Sequence, residues 1–156
     1  MLGPIVNPAK PAYQLIGVYN LEMARLYNYA MQSLGNEFTL IHSLDGYDEI
    51  SLTSDTKIIS NKGEFIMTPY QLGKRKVFPE ELYGGNTVEA AATLFKKIIQ
   101  GNGSWSQNAV VLANAAMALQ LTGQYENYEA AFQAAVKSLE SGAANHCLNQ
   151  LISLQK

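Results

Sequence analysis

The sequence contains little cysteine and little charge. Of its 156 residues one is a cysteine, Cys147, and 15% are charged, with a formal net charge of −2. A single cysteine cannot form an internal disulfide, and Cys147 has no cysteine or histidine partners at zinc-ligand spacing. We therefore expect a reducing, cytoplasmic compartment. Because Cys147 lies in an apolar helical pattern, it is predicted to be a small core residue rather than a nucleophile.

Long basic runs and long apolar runs are also missing. The densest basic run, Lys74-Arg75-Lys76, is too short to form an electrostatic footprint for nucleic acid. No apolar run approaches the roughly 18 residues of a membrane span, and residues 1–11 lack the apolar centre of a signal peptide. The sequence therefore predicts no nucleic-acid partner and no membrane partner. Its 47% of hydrophobic residues is typical of one globular domain with a real core.

Apolar patterning in the first part of the chain predicts a βαβ unit. Residues 13–19 are nearly continuously apolar, as in a central strand, and residues 37–43 form a second such run. Helical spacing lies between them, from Asn20 as the N-cap to Gly35 as the stop. A strand, a helix and a strand within about thirty residues make a crossover, so the two strands are expected to be parallel.

The rest of the pattern predicts a hairpin followed by helices. Residues 56–60 and 64–68 flank a glycine-containing turn. Asn86, with Glu89 three residues later, is predicted to cap the next helix, and an alanine-rich helix over residues 107–121 is expected to be buried on most sides. We predict a single α/β domain, a mixed β-sheet with helices packed around it.

The opening segment is apolar, rich in turn residues and without charge from Gly3 to Pro8. This pattern predicts a buried connecting loop. On that interpretation the chain would start inside a larger protein.

The loop from Asp45 to Ser51 carries the most informative polar residues, Asp48 and Glu49. On a strand these adjacent side chains would point to opposite faces, but on a loop both can turn toward one point. Such a pair can hold Mg²⁺, which keeps much of its water and takes further ligands from a substrate phosphate. Two interpretations follow, a magnesium site for a phosphorylated substrate or a solvated turn.

Other kinds of site are less well supported. An EF-hand loop starting at Asp45 is excluded, because Ile50 and Thr56 occupy the positions of its glycine and its last glutamate. His42, at the end of the predicted strand, either orients a metal-bound water or simply finds a hydrogen-bond partner, and the second is the commoner case. No nucleophile, base and acid stand at a recognisable spacing.

An ordered set of segments resembles anthranilate phosphoribosyltransferase. The set begins with Leu2-Gly3-Pro4, Asn7-Pro8, residues 13–19 and Asp48-Glu49-Ile50-Ser51, and continues with Gly84-Gly85, residues 109–119 and Ser141-Gly142-Ala143. The resemblance covers essentially the whole chain, but only the C-terminal part of such an enzyme. It implies that residues 1–156 belong to the larger α/β domain of the two-domain phosphoribosyltransferase and nucleoside phosphorylase-like fold. The N-terminal helical domain and the phosphate-binding loop would be absent.

The resemblance also implies chemistry. Members transfer the phosphoribosyl group of phosphoribosyl pyrophosphate to the amine of anthranilate in tryptophan biosynthesis, and they form homodimers. Asp48 and Glu49 match the family's magnesium carboxylates, and Gly3 matches a position lining the anthranilate site. No catalytic residue is carried over.

The expected activity of the chain alone follows from what the resemblance does not cover. The glycine-rich pyrophosphate loop and the residues that meet anthranilate are expected upstream, so the isolated chain is predicted to be inactive. The alternatives are a folded, non-catalytic fragment and a related phosphorylase.

Overall fold

The computed structural model describes residues 3–155, so positions 1, 2 and 156 of the predicted domain lie outside the described residues. Within the described range the chain forms four strands, six α-helices and one 3₁₀ turn. In chain order these are β1 (Tyr13–Gly17), α1 (Leu21–Leu34), β2 (Glu37–Ser43), β3 (Thr56–Ser60), β4 (Gly63–Met67), α2 (Pro69–Gly73), the 3₁₀ turn (Pro79–Leu82), α3 (Val88–Ile99), α4 (Trp105–Leu121), α5 (Tyr128–Glu140) and α6 (Ala143–Leu154). No helix in this range is both long and apolar enough to cross a membrane.

The four strands form one mixed sheet in the order β1-β2-β3-β4. β1 and β2 are parallel, while β2 with β3 and β3 with β4 are antiparallel. The predicted crossover is confirmed at both of its ends. Asn20 accepts the backbone N–H of Met23 at 2.8 Å, and Gly35 ends α1 in the left-handed conformation with φ of 73°.

Helices cover both faces of the sheet, so β2 is buried on both sides. One half of the core lies between α1 and the sheet, where Met23, Met31, Phe38 and Leu40 pack together. The other half lies between the sheet and α4, where Ile41, Ile50, Ile58, Ala109 and Ala113 pack together. The predicted mixed α/β architecture is confirmed.

The opening segment differs from the prediction. Residues 3–10 are mostly exposed, with Val6 at 63% exposure, and Ile5 is the residue of this segment that packs against the core. The predicted buried loop is therefore wrong for the described chain. The segment is apolar, but the described residues offer too little surface to cover it.

Two helix predictions also need correction. The N-cap of α3 is Thr87, whose hydroxyl accepts the N–H of Ala90 at 3.1 Å, and not Asn86. Cys147 is exposed rather than buried. The reason is that α6 packs mainly against α5, so much of its surface faces solvent.

Candidate functional site

The acidic loop, which we define as residues 44–51, lies at the end of the parallel strand pair. It follows β2 directly, and the side chains of both Asp48 and Glu49 are exposed. Its backbone lies against the last residue of β1, since a Cβ placed on Gly17 would be 1.6 Å from the carbonyl oxygen of Asp48. Only glycine at that position allows the loop to lie this close to the strand.

Ser43, the last residue of β2, holds the acidic loop from the sheet side. Its hydroxyl donates to the carbonyl oxygen of Glu49 at 2.7 Å and accepts the N–H of Ser51 at 3.2 Å. Its own N–H donates to the carbonyl of Tyr47 at 3.0 Å. One buried serine therefore ties the loop to the strand through several hydrogen bonds.

Asn114 in α4 holds the same loop from the helix side. Its Oδ1 accepts the N–H of Ile50 at 3.0 Å, and its Nδ2 donates to the carbonyl of Ile50 at 2.9 Å. Nδ2 also donates to the carbonyl of Val110 at 2.9 Å, within the same helix. Ile50 is fully buried, so the backbone immediately after Glu49 is fixed in the core while the two carboxylates remain outside it.

The electrostatics of the pair suit a cation. Although Glu49 is exposed as a residue, partial burial of its carboxyl group, and then the neighbouring charge of Asp48, raise its pKa above the usual value. A raised pKa means that the ionised pair is unfavourable without a counter-charge, which a divalent cation would supply. Asp45 is engaged elsewhere, because its carboxylate accepts the hydroxyl proton of Thr53.

The pair does not form a complete metal site by itself. Among residues 3–155 no group of three or more histidine, cysteine, aspartate or glutamate side chains could hold a metal ion. Two exposed carboxylates are nevertheless what Mg²⁺ requires when water and phosphate oxygens provide its other ligands. The donor set of the acidic loop therefore fits magnesium.

His42 has a structural role. It is buried, and its Nδ1 lies 2.9 Å from the carbonyl oxygen of Val18, the first residue after β1. The hydrogen-bonded interpretation of this histidine is confirmed. The contact ties β1 to β2 beside the acidic loop.

Gly3 lies away from the acidic pair. The neighbouring Pro4 accepts, at its carbonyl oxygen, a hydrogen bond of 2.6 Å from Nε2 of Gln14 near the start of β1. The acidic loop contacts Gly17 at the other end of that strand. The structure therefore does not bring Gly3 and the acidic pair together, and the assignment of Gly3 to the anthranilate site stays a prediction.

Sequence reasoning missed the residues that hold the acidic loop. Gly17 lies inside the nearly apolar run of residues 13–19, and a glycine within a strand pattern is a known sign of close backbone approach. Asn114 is the one amide within the apolar, alanine-rich stretch of residues 109–119, a sign of a specific buried hydrogen bond. Ser43 carries no comparable signal.

This chain is similar along nearly its whole length to one family of known proteins. Residues 1–145 match the family described as "Glycosyl transferase family, a/b domain". The anthranilate phosphoribosyltransferase of Flavobacterium johnsoniae is 47% identical over 154 residues, covering 99% of this chain and 46% of that protein. The one from Christiangramia forsetii is 46% identical over 156 residues, covering 100% of this chain and 47% of that protein. The chain spans about half the length of these relatives.

Solved structures agree on the fold. The anthranilate phosphoribosyltransferase of Thermus thermophilus superposes with a TM-score of 0.85 at 28% identity, over 97% of this chain and 46% of that one. The Saccharomyces cerevisiae protein, solved in complex with PRPP and Mg, superposes with a TM-score of 0.79 at 23% identity, over 91% of this chain and 41% of that one.

Proposed function

Because this chain belongs to the glycosyl transferase family through its a/b domain, we propose that it forms the C-terminal part of an anthranilate phosphoribosyltransferase. The similarity to relatives of that name extends over nearly all of its length. The observation that carries the proposal is the exposed Asp48 and Glu49 pair on a loop whose backbone is fixed. That arrangement is what a site for a metal-bound phosphorylated substrate requires.

In this proposal Asp48 and Glu49 hold magnesium and do not transfer protons. The bond from C1 of the ribose to the pyrophosphate oxygen breaks, the bond from C1 to the anthranilate nitrogen forms, and the amine releases one proton to solvent. A bound magnesium ion supplies charge neutralisation for the pyrophosphate oxygens. The chain's own contribution is to hold the carboxylates in a fixed position, because most of the rate in such a displacement comes from positioning.

The remaining parts of the proposal concern substrates and setting. We propose phosphoribosyl pyrophosphate and anthranilate as the small-molecule substrates, with the pathway to tryptophan as the context. We also propose that the parent protein is a cytoplasmic homodimer. Gly3 is proposed to line the anthranilate site once the rest of the protein is present.

A chimeric enzyme tests the proposal. The N-terminal half of the Christiangramia forsetii relative is joined to this chain, and loss of anthranilate fluorescence is followed with phosphoribosyl pyrophosphate and Mg²⁺. We expect turnover by the chimera and none by the isolated chain. An inactive but folded chimera, or full activity in the isolated chain, would contradict the proposal.

Matched charge removals sharpen this test. Asp48→Ala with Glu49→Ala should abolish magnesium-dependent turnover in the chimera. The control, Glu126→Ala with Glu140→Ala, removes two exposed carboxylates from the region of α5 and should retain it. An unchanged magnesium dependence in the first variant would show that the pair is a solvated turn.

A further inference from the structure

In the two peptide groups that flank Ile50, every N–H and every carbonyl oxygen makes a hydrogen bond. The carbonyl of Glu49 accepts from the Ser43 hydroxyl, and the N–H of Ile50 donates to Asn114, so the peptide between Glu49 and Ile50 is held at both ends. The carbonyl of Ile50 accepts from Asn114, and the N–H of Ser51 donates to Ser43, so the next peptide is held in the same way. Two side chains thus hold two successive peptides.

Asn114 provides the longer-range of these two connections. It lies 64 residues from Ile50 along the chain, whereas Ser43 lies 6 residues from Glu49. Ser43 belongs to β2, the strand from which the acidic loop emerges. Asn114 instead joins that loop to α4, which packs on the sheet through Ala109 and Ala113.

We propose that Asn114 is a positioning residue for the acidic pair, fixing the backbone after Glu49 so that Asp48 and Glu49 present their carboxylates together to a divalent cation. The inference rests on the proposed magnesium role of the pair. Residues that orient metal ligands without touching the metal are commonly worth about 10- to 100-fold in metal affinity. We expect Asn114→Ala to weaken binding of Mn²⁺, used as the probe, by about ten-fold.

The chain contains a matched control for Asn114. Asn61 also holds backbone groups with both ends of its amide, accepting the N–H of Phe38 at 2.8 Å and donating to the carbonyl of Asn36 at 3.2 Å. It does so at the turn between β3 and β4, away from the acidic loop. Asn61→Ala therefore removes a similar set of hydrogen bonds. If the role of Asn114 were purely structural, Asn114→Ala and Asn61→Ala would have similar effects on Mn²⁺ binding.

Two measurements on the 156-residue chain separate this inference from the proposed function. Free Mn²⁺ is titrated by electron paramagnetic resonance in wild type, Asn114→Ala and Asn61→Ala, and amide hydrogen exchange is measured for residues 44–51. We expect Asn114→Ala alone to weaken Mn²⁺ binding and to speed exchange at Ile50 by about ten-fold or more, since it removes the acceptor of that N–H. If Asn114→Ala does not fold, Asn114→Asp keeps an acceptor for Ile50, loses both donors and should show a smaller effect of the same sign.

Each outcome decides a different claim. Tight Mn²⁺ binding in wild type that Asn114→Ala leaves unchanged overturns the positioning role and leaves the proposed magnesium site standing. Absence of Mn²⁺ binding in wild type counts against the magnesium site, and hydrogen exchange then decides the role of Asn114 alone. Equal exchange at Ile50 in Asn114→Ala and Asn61→Ala overturns the inference in either case.

Discussion

The two ends of β1 are held very differently. At its C-terminal end, Gly17 contacts the backbone of the acidic loop, which Ser43 and Asn114 fix from two sides. At its N-terminal end, the segment 3–10 is mostly exposed and is attached through one hydrogen bond from Gln14 to Pro4 and the packing of Ile5. The described chain therefore fixes the backbone of the acidic loop by itself, whereas its described residues hold the segment that carries Gly3 only loosely.

The largest expected effect on stability comes from adding a methyl group at Gly17, at the C-terminal end of β1. The matched change at the N-terminal end is Gly3→Ala. Gly17→Ala places a Cβ 1.6 Å from the carbonyl oxygen of Asp48, so the acidic loop or β1 must move. We expect a loss of about 2 kcal/mol or more in the free energy of unfolding, measured by urea denaturation. Gly3→Ala meets no atom within 4 Å and should change it by less than about 0.5 kcal/mol. Equal losses in the two variants would remove the contrast between the two ends.

The N-terminal end should govern self-association. Val6 is 63% exposed, and an exposed apolar patch commonly finds a partner. We expect the isolated chain to associate as concentration rises, and Ile5→Ser with Val6→Ser to shift the equilibrium toward monomer by several-fold. Sedimentation velocity across a concentration series measures this. A wild-type chain that stays strictly monomeric would show that this segment is not a contact surface.

The smallest expected effect is a pH dependence of stability that arises from Glu49 in the acidic loop. The raised pKa of Glu49, caused by burial and by Asp48, means that the folded chain holds this proton more tightly than the unfolded chain does. The stability that protonated Glu49 contributes is therefore fully present below the ordinary glutamate pKa. It is lost as the pH rises through the raised pKa of Glu49 in the folded chain.

Glu49→Gln isolates this contribution, because glutamine does not ionise. The variant should gain stability relative to wild type as pH rises through that range, and added Mg²⁺ should reduce the gain by stabilising ionised Glu49 in wild type. Urea denaturation at a series of pH values provides the measurement. Parallel stability curves for the two proteins would contradict this account.

Local sequence signals predicted the frame of the molecule well. The crossover from β1 through α1 to β2 was predicted because Asn20 and Gly35 mark the ends of α1. The hairpin of β3 and β4 was predicted from its glycine-containing turn. Each of these signals lies within a few residues of the structure that it specifies.

The errors and omissions concern contacts between distant residues. The exposure of Cys147 depends on what packs against α6, and the role of Asn114 depends on a contact 64 residues away. Patterning identifies an apolar face but not what covers it, so the opening segment was predicted to be buried. The acidic pair could be found from sequence because its two carboxylates are adjacent, but the residues that hold its backbone could not.

The most direct test of the central claim is to locate the cation. In the isotope-labelled chain, substoichiometric Mn²⁺ broadens the amide signals of residues near its binding site. We predict that the signals of Asp48 and Glu49 broaden first, that those of residues 3–10 remain sharp, and that Asp48→Ala with Glu49→Ala abolishes the effect. Broadening centred on other carboxylates, or broadening that persists in the double variant, would contradict the assignment of the metal site to the C-terminal end of β1.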